Sequence, residues 1–212
     1  MLKTVSLVIV AFVACTPQSS ATKDDAGALP VAKAAPAPPP EPPKKTVEQQ
    51  VAESVTLAAA LSFAQPKMED TANKMDDGTV MLTRWAAKNL RWVDVAVATN
   101  ETSFALVMKD SDEARGKKLC ASGSIITIEL VKTDVGKLFD ALFHDYAGNI
   151  YQLYAAGSSG DLVERSQSRF CGVVTGKYDY SNSGGGTGHA IKVVGMFDLP
   201  ANKAARPVAA TP

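Results

Sequence analysis

The chain has little of what most functional motifs are built from. Its 212 residues hold only 3 cysteines and 2 histidines, His144 and His189. Two histidines with no cysteine or carboxylate at ligand spacing do not make a zinc site, so no metal ligand is assigned. No G-x-S-x-G nucleophile elbow is present. No serine can be matched by spacing to a histidine and a carboxylate. No catalytic residue and no cofactor are therefore expected, and the chain is not read as an enzyme. Charge of one sign is also missing: 22 Lys and Arg balance 22 Asp and Glu, for a formal net charge of 0. From Glu101 to Leu199 the acidic side chains outnumber the basic ones, by about twelve to ten. That is the wrong sign for a groove that tracks phosphates, which argues against nucleic acid as a partner.

What is present begins at the N-terminus. Lys3 precedes an apolar run from Val5 to Val13. This is the length of a signal-peptide core and too short to span a bilayer. Phe12-Val13-Ala14-Cys15 resembles a bacterial lipobox, with the small Ala14 before the cut and the Cys15 thiol to take lipid. The resemblance implies a signal peptide over 1–14 and a lipoprotein held to the membrane through lipid on Cys15. Thr16 stands where aspartate retains enteric lipoproteins in the inner membrane. The resemblance therefore implies an outer-membrane lipoprotein of the cell envelope, facing the periplasm. An ordinary secretory peptide cut after Ser19-Ser20-Ala21, giving a secreted or periplasmic protein, is the alternative.

Residues 15–46 read as a disordered linker rich in Pro and Ala. Of the 12 prolines, eight lie between Pro17 and Pro43. Such a stretch buries too little apolar surface to offset its ordering entropy. Residues 47–100 read as a helical lead-in of two helices. The first spans Val47 to Phe63, with Val47, Val51, Val55 and Ala58 at helical spacing and Thr46 with Gln49 as a capping box. The second spans Thr79 to Leu90, with Val80, Leu82, Trp85, Ala86 and Leu90 on one face. Thr102 to Met108 reads as β-like, and Lys109 to Lys118 as a charged turn.

Residues 101–200 carry the main domain. Strands are predicted over Leu119–Leu130, Lys137–His144, Ile150–Ala156, Arg169–Tyr180 and His189–Asp198. Gly123 would permit a bend or bulge. Gly157 to Gln167 leaves room for one short helix or an open loop. Three strands, an insert, then two strands is the order of the OB-fold, a five-stranded Greek-key barrel. The segments Gly116-Lys117-Lys118-Leu119-Cys120-Ala121-Ser122-Gly123-Ser124-Ile125, and Gly160-Asp161 through Gly172-Val173-Val174, resemble the opening and return of OB-like domains. One bacterial group of these is named for its similarity to tRNA-anticodon-binding domains. The predicted fold class is mainly β, α+β overall: a five-stranded OB-like barrel preceded by two helices, with a disordered tail over 201–212. A small β-sandwich fits the same strand count.

The candidate ligand-binding residues are Tyr178, Tyr180, Ser181, Asn182 and His189. Tyr178 and Tyr180 are two apart on one strand and so share a face. Tyr151 and Tyr154 cannot share one without a bulge. The glycine-rich loop Ser181 to Gly188 leads into a strand, not a helix N-terminus, which argues against a phosphate cradle. In an OB barrel it would flank the binding face.

Cys120 and Cys171 remain once Cys15 is set aside as the lipid site. Export would place them in an oxidising compartment, where two cysteines tend to pair, so a disulfide is expected. Simple antiparallel pairing opposes this by placing the two strand starts at opposite ends of a ladder. Two buried thiols are the alternative. The chain as a whole reads as a binding or interaction module whose partner is an envelope protein or a small ligand. A structural envelope protein with no small ligand is the alternative, and an oligonucleotide- or saccharide-binding OB domain a further one.

Overall fold

A computed structural model describes residues 43–182 and 184–204. The expected signal peptide, Cys15 and nearly all of the expected linker lie outside the described residues.

Helix α1 (Val47–Glu53) starts as its sequence dictates. Thr46 Oγ1 accepts the Gln49 amide at 3.3 Å and Gln49 Oε1 accepts the Thr46 amide at 2.9 Å, a closed capping box. The single helix expected to Phe63 is, however, broken in two. The chain leaves the helix at Ser54 and restarts as α2 (Leu57–Ala64), with Thr56 accepting the Ala59 amide at 3.2 Å. The freed Ser54 carbonyl accepts the Trp85 indole N–H at 2.8 Å. The break rotates the apolar face. Val55, expected inside, is 90 % exposed, and Leu57, Ala60 and Ala64 are buried instead.

A 3-10 turn over Gln65–Lys67 and a two-residue strand, β1 (Thr71–Ala72), lead to α3 (Asp77–Asn89). Asp76 caps α3 by accepting the Thr79 amide at 2.8 Å. Leu82, Trp85 and Ala86 are buried as expected, as is Leu90 just past the helix, but Thr79 and Thr83 are buried too and Val80 is not. The short α4 (Trp92–Val95), α5 (Phe104–Lys109) and α6 (Ser111–Ala114) follow. Helix α5 replaces the strand expected over 102–108. Ser103 caps it through the Leu106 amide, and Phe104 and Val107 turn inward while Leu106 is exposed. Among the described residues six α-helices, not two, therefore precede the main strands.

Five strands come next: β2 (Lys118–Thr133), β3 (Gly136–Asp145), β4 (Ile150–Ala156), β5 (Gln167–Ser181) and β6 (Thr187–Phe197). They pair in the order β2-β3-β4-β6-β5, and β5 returns to β2, so the five form a ring. Only β4 and β6 pair in parallel within it. Strand β1 adds to β5 in parallel as a sixth. The architecture is α+β and mostly β. The bulge in β2 lies between Ile125 and Thr127, not at Gly123. Gly123 serves a close approach instead: a Cβ there would sit 2.0 Å from the His144 carbonyl oxygen.

Side chains alternate along each strand, and this splits the core in two. One set fills the ring: Ile125, Phe143, Tyr151, Leu153, Phe170, Ile191, Val193 and Phe197. Its aromatic rings meet edge to face, Phe143 to Phe170 at 5.0 Å and Tyr151 to Phe170 at 5.4 Å. The other set, including Leu138, Tyr154, Val173, Val194 and Met196, faces outward and is covered by Val51, Leu57, Leu82, Trp85 and Leu90. The lead-in helices are thus a second layer packed on one wall of the ring.

Cys120 and Cys171 form a disulfide with their Cα atoms 4.0 Å apart. The expected register conflict disappears because β2 pairs with β5 only over Lys118–Ser124 and Gln167–Val173. Both strands contribute their first residues to this one short ladder, which sets the two cysteines directly opposite each other.

A short helix follows β6. Helix α7 (Pro200–Lys203) carries Asn202, which accepts the Ser158 amide at 2.8 Å and donates to the Ser158 and Phe197 carbonyls at 2.9 Å each. Of the tail expected over 201–212, the first three residues belong to α7, and 205–212 lie outside the described residues. Among the described residues no helix is long and apolar enough to cross a membrane.

Candidate binding face

The second half of β5 carries the two tyrosines singled out by their spacing. Tyr178 and Tyr180 do share a face. Their ring centroids lie 6.5 Å apart and their planes 18° from parallel. The residues beneath them are small: Ala190 stands opposite Tyr178 and Gly188 opposite Tyr180. A Cβ at Gly188 would lie 2.3 Å from a carbon of the Tyr180 ring. Glycine at 188 therefore lets the Tyr180 ring lie flat across the neighbouring strand.

The other walls come from strands far away in sequence. The bulge after Ile125 shifts the alternation of β2, so Thr127 and Glu129 face out, opposite Leu142 and Asp140 of β3. Gln152 of β4 pairs with Leu142. These residues and the two tyrosines line an open groove of about 280 Å³ on the outer surface of the ring.

The electrostatics of the groove are one-sided. Glu129 and Asp140 are direct cross-strand partners. Like charges so placed repel. The Gln152 amide donates a short hydrogen bond to Asp140. Burial, and then the Glu129 charge, raise the Asp140 carboxyl above its usual range, against the opposing pull of Gln152. Burial, and then Asp140, also raise the Tyr178 hydroxyl. Among the described residues no Lys or Arg forms an ion pair with Glu129 or Asp140.

One cation does stand beside the groove, paired in register with Gln152: Lys192 of β6. It is 0 % exposed. Its ammonium donates to the Glu69 carbonyl at 2.6 Å, to Thr71 Oγ1 at 2.9 Å and to the Asp76 carboxylate. Those acceptors lie on the segment that carries β1 and caps α3, so the charge is spent holding the helical layer against the ring.

The remaining candidates separate. His189 stands opposite Asp179, with Nδ1 2.7 Å from Asp179 Oδ1. By strand alternation this pair lies on the face away from Tyr178 and Tyr180. Asn182 is occupied with its own turn: Oδ1 accepts the Gly184 and Gly186 amides at 3.1 and 2.9 Å. Ser181 is an exposed strand end opposite Thr187. Tyr151 and Tyr154 point to opposite faces, Tyr151 into the ring and Tyr154 under the helices. Thr127, Glu129, Asp140, Leu142 and Gln152 carried no local signal in the sequence. Only the register of β2, β3 and β4 reveals them.

No protein-family model matches this chain, and neither a curated protein nor a solved structure matches it.

Proposed function

We propose that the protein is a non-enzymatic envelope lipoprotein whose five-stranded ring is an OB-like barrel. It binds its ligand on the outer face that bears Tyr178 and Tyr180. The strand order and the parallel pairing of β4 with β6 support the barrel assignment. Counted within the ring, the order is one-two-three-five-four with closure from four to one, the Greek-key order of that fold. The groove itself carries the functional reading. In OB barrels the binding face is centred on the second and third strands and flanked by the loops after the first and fourth. Here those strands are β3 and β4, which supply Asp140, Leu142 and Gln152, and the loop after Ser181 borders the two tyrosines.

Polyanions fit this face poorly. Two carboxylates without a cation would repel phosphates, so a nucleic-acid ligand is disfavoured and a small neutral or cationic one preferred. The anchor is independent of the groove and rests on the lipobox-like Phe12-Val13-Ala14-Cys15.

The test of the face uses the mature chain and a Tyr178→Ala/Tyr180→Ala double variant with an unchanged far-UV spectrum. A panel of neutral and charged saccharides and short peptides is screened by thermal shift. At least one ligand should stabilise the wild type and leave the double variant unmoved. Equal stabilisation of both by every hit would refute the face. For the anchor, Cys15→Ser should release the protein from the membrane fraction, and an intact mass showing cleavage after Ala21 with no lipid would refute it.

A further inference from the structure

We propose that the groove takes an amino sugar with a free ammonium group, the sugar ring lying against Tyr178 or Tyr180 and the ammonium between Glu129 and Asp140. This rests on the binding-face reading above and names its ligand class.

Four features of the groove lead to it. Its shape comes first. About 280 Å³ is the scale of one six-membered ring with its substituents. Its aromatic wall comes second. Two nearly parallel tyrosine rings offer flat faces for the C–H side of a sugar ring, and Gly188 and Ala190 let the rings settle close to the sheet. The neutral polar groups come third. The Thr127 hydroxyl and the Gln152 amide line the same groove and match the hydroxyls of a sugar better than the bare carbon chain of an alkylamine.

Charge comes last and decides between neutral and amino sugars. Glu129 and Asp140 face each other across two strands with no ion pair among the described residues, and Lys192 is locked to Asp76. One oxygen of Asp140 receives Gln152, and its other oxygen has no hydrogen bond among the described residues. An incoming ammonium would relieve the repulsion, donate a hydrogen bond to that open oxygen and gain attraction to the tyrosine faces. A bound metal would need more. Hard cations such as calcium take six to eight oxygen ligands, and among the described residues no three His, Cys, Asp or Glu side chains are grouped to hold one.

Four probes test the proposal by calorimetric titration of the mature chain at low salt: glucosamine, N-acetylglucosamine, lysine amide and glucose. Glucosamine should bind. N-acetylglucosamine and glucose, which lack the charge, should bind about tenfold or more weakly, the scale of one lost charge-assisted hydrogen bond. Lysine amide, which lacks the ring, should also fall well below glucosamine. Glu129→Gln/Asp140→Asn should erase the difference between glucosamine and glucose, while Tyr178→Ala should weaken both sugars together. Equal affinity for the charged and neutral sugars, lost in Tyr178→Ala, would overturn the ammonium assignment and leave the binding face standing. Lysine amide matching glucosamine would overturn the sugar assignment. Glucosamine failing to bind at millimolar concentration would overturn the proposal outright, and hits from the wider panel would then decide whether the face binds anything.

Discussion

Lys192 and Asp140 belong to the same outer surface of the strand ring, on β6 and β3, and the fold treats their charges in opposite ways. Lys192 is sealed from water and given three acceptors, one of them the Asp76 carboxylate. Asp140 is half-buried, set opposite a second carboxylate and given a single neutral donor. Burial opposes both charges. At Lys192 the opposition is answered by a partner from the segment that docks the helices, and the result is a joint. At Asp140 only the neutral Gln152 amide answers it and no cation in the described chain does, and the result is a site that gains from an outside cation. Local rules broken without compensation tend to mark functional positions.

Removing the partner at the joint should have the largest effect. Asp76→Ala would strand the Lys192 ammonium and uncap α3, lowering stability by about 3–5 kcal/mol. Urea denaturation of the wild type and the variant measures it. A loss below about 1 kcal/mol would mean that the joint is no stronger than a surface pair, and the contrast would collapse.

The disulfide comes next and sharpens the geography. Cys120 and Cys171 tie the end of β2 that pairs with β5, whereas Thr127 and Glu129 lie past the bulge on the half that pairs with β3 alone. A Cys120→Ala/Cys171→Ala variant should lose about 2–4 kcal/mol, yet bind any groove ligand as the wild type does. A thiol count on unreduced, denatured protein lacking Cys15 should find no reactive cysteine.

At the acid pair the sign should reverse. Glu129→Gln removes a like-charge neighbour and should raise stability at neutral pH by about 0.2–1 kcal/mol. Destabilisation by that amount would show that Glu129 has a stabilising role that the contrast denies.

The smallest effect is in its pH dependence. Asp140 is raised in the folded state, so that state holds its proton to higher pH than the unfolded chain does. Its contribution to stability therefore falls as pH climbs from the unfolded value of about 3.9 through the raised folded value. Because Glu129 is part of the cause, the stability gain of Glu129→Gln should open across that window and be flat above it. Melting curves from acid to neutral pH would show the gap widening with pH, and a gap that narrows would contradict the assigned cause.

Much of the framework was legible along the chain. Alternation and turn residues marked the five main strands to within a few positions, because strand periodicity is local. The capping box at Thr46 and Gln49 and the buried run Leu82, Trp85, Ala86 were equally readable. Failures came where a distant group intervened. Phe104 to Lys109 holds apolar residues at spacings that suit a strand or a helix, and the Ser103 cap together with the inward turn of Phe104 and Val107 decided for helix. Val47 to Phe63 reads as one helix, and the Trp85 indole, far along the chain, takes the carbonyl at which it breaks. Of the site, only the tyrosine pair was legible, since their spacing is two. His189 was grouped with them by nearness in sequence, which strand alternation then undid.

The sequence by itself determined that Tyr178 and Tyr180 share a face, that five strands follow the helices, and that two cysteines are left to pair once Cys15 is set aside. These follow from periodicity and from counting, which need no partner strand. Only the tertiary structure decided which cysteine meets which residue, which carboxylates stand opposite each other, and which lysine is withheld from them. Those facts depend on register, and register depends on where strands overlap and where a bulge adds a residue. One extra residue near Ile126 turns Thr127 and Glu129 outward. No composition or spacing along β2 announces it, because the ladder that reveals the bulge is made with β3.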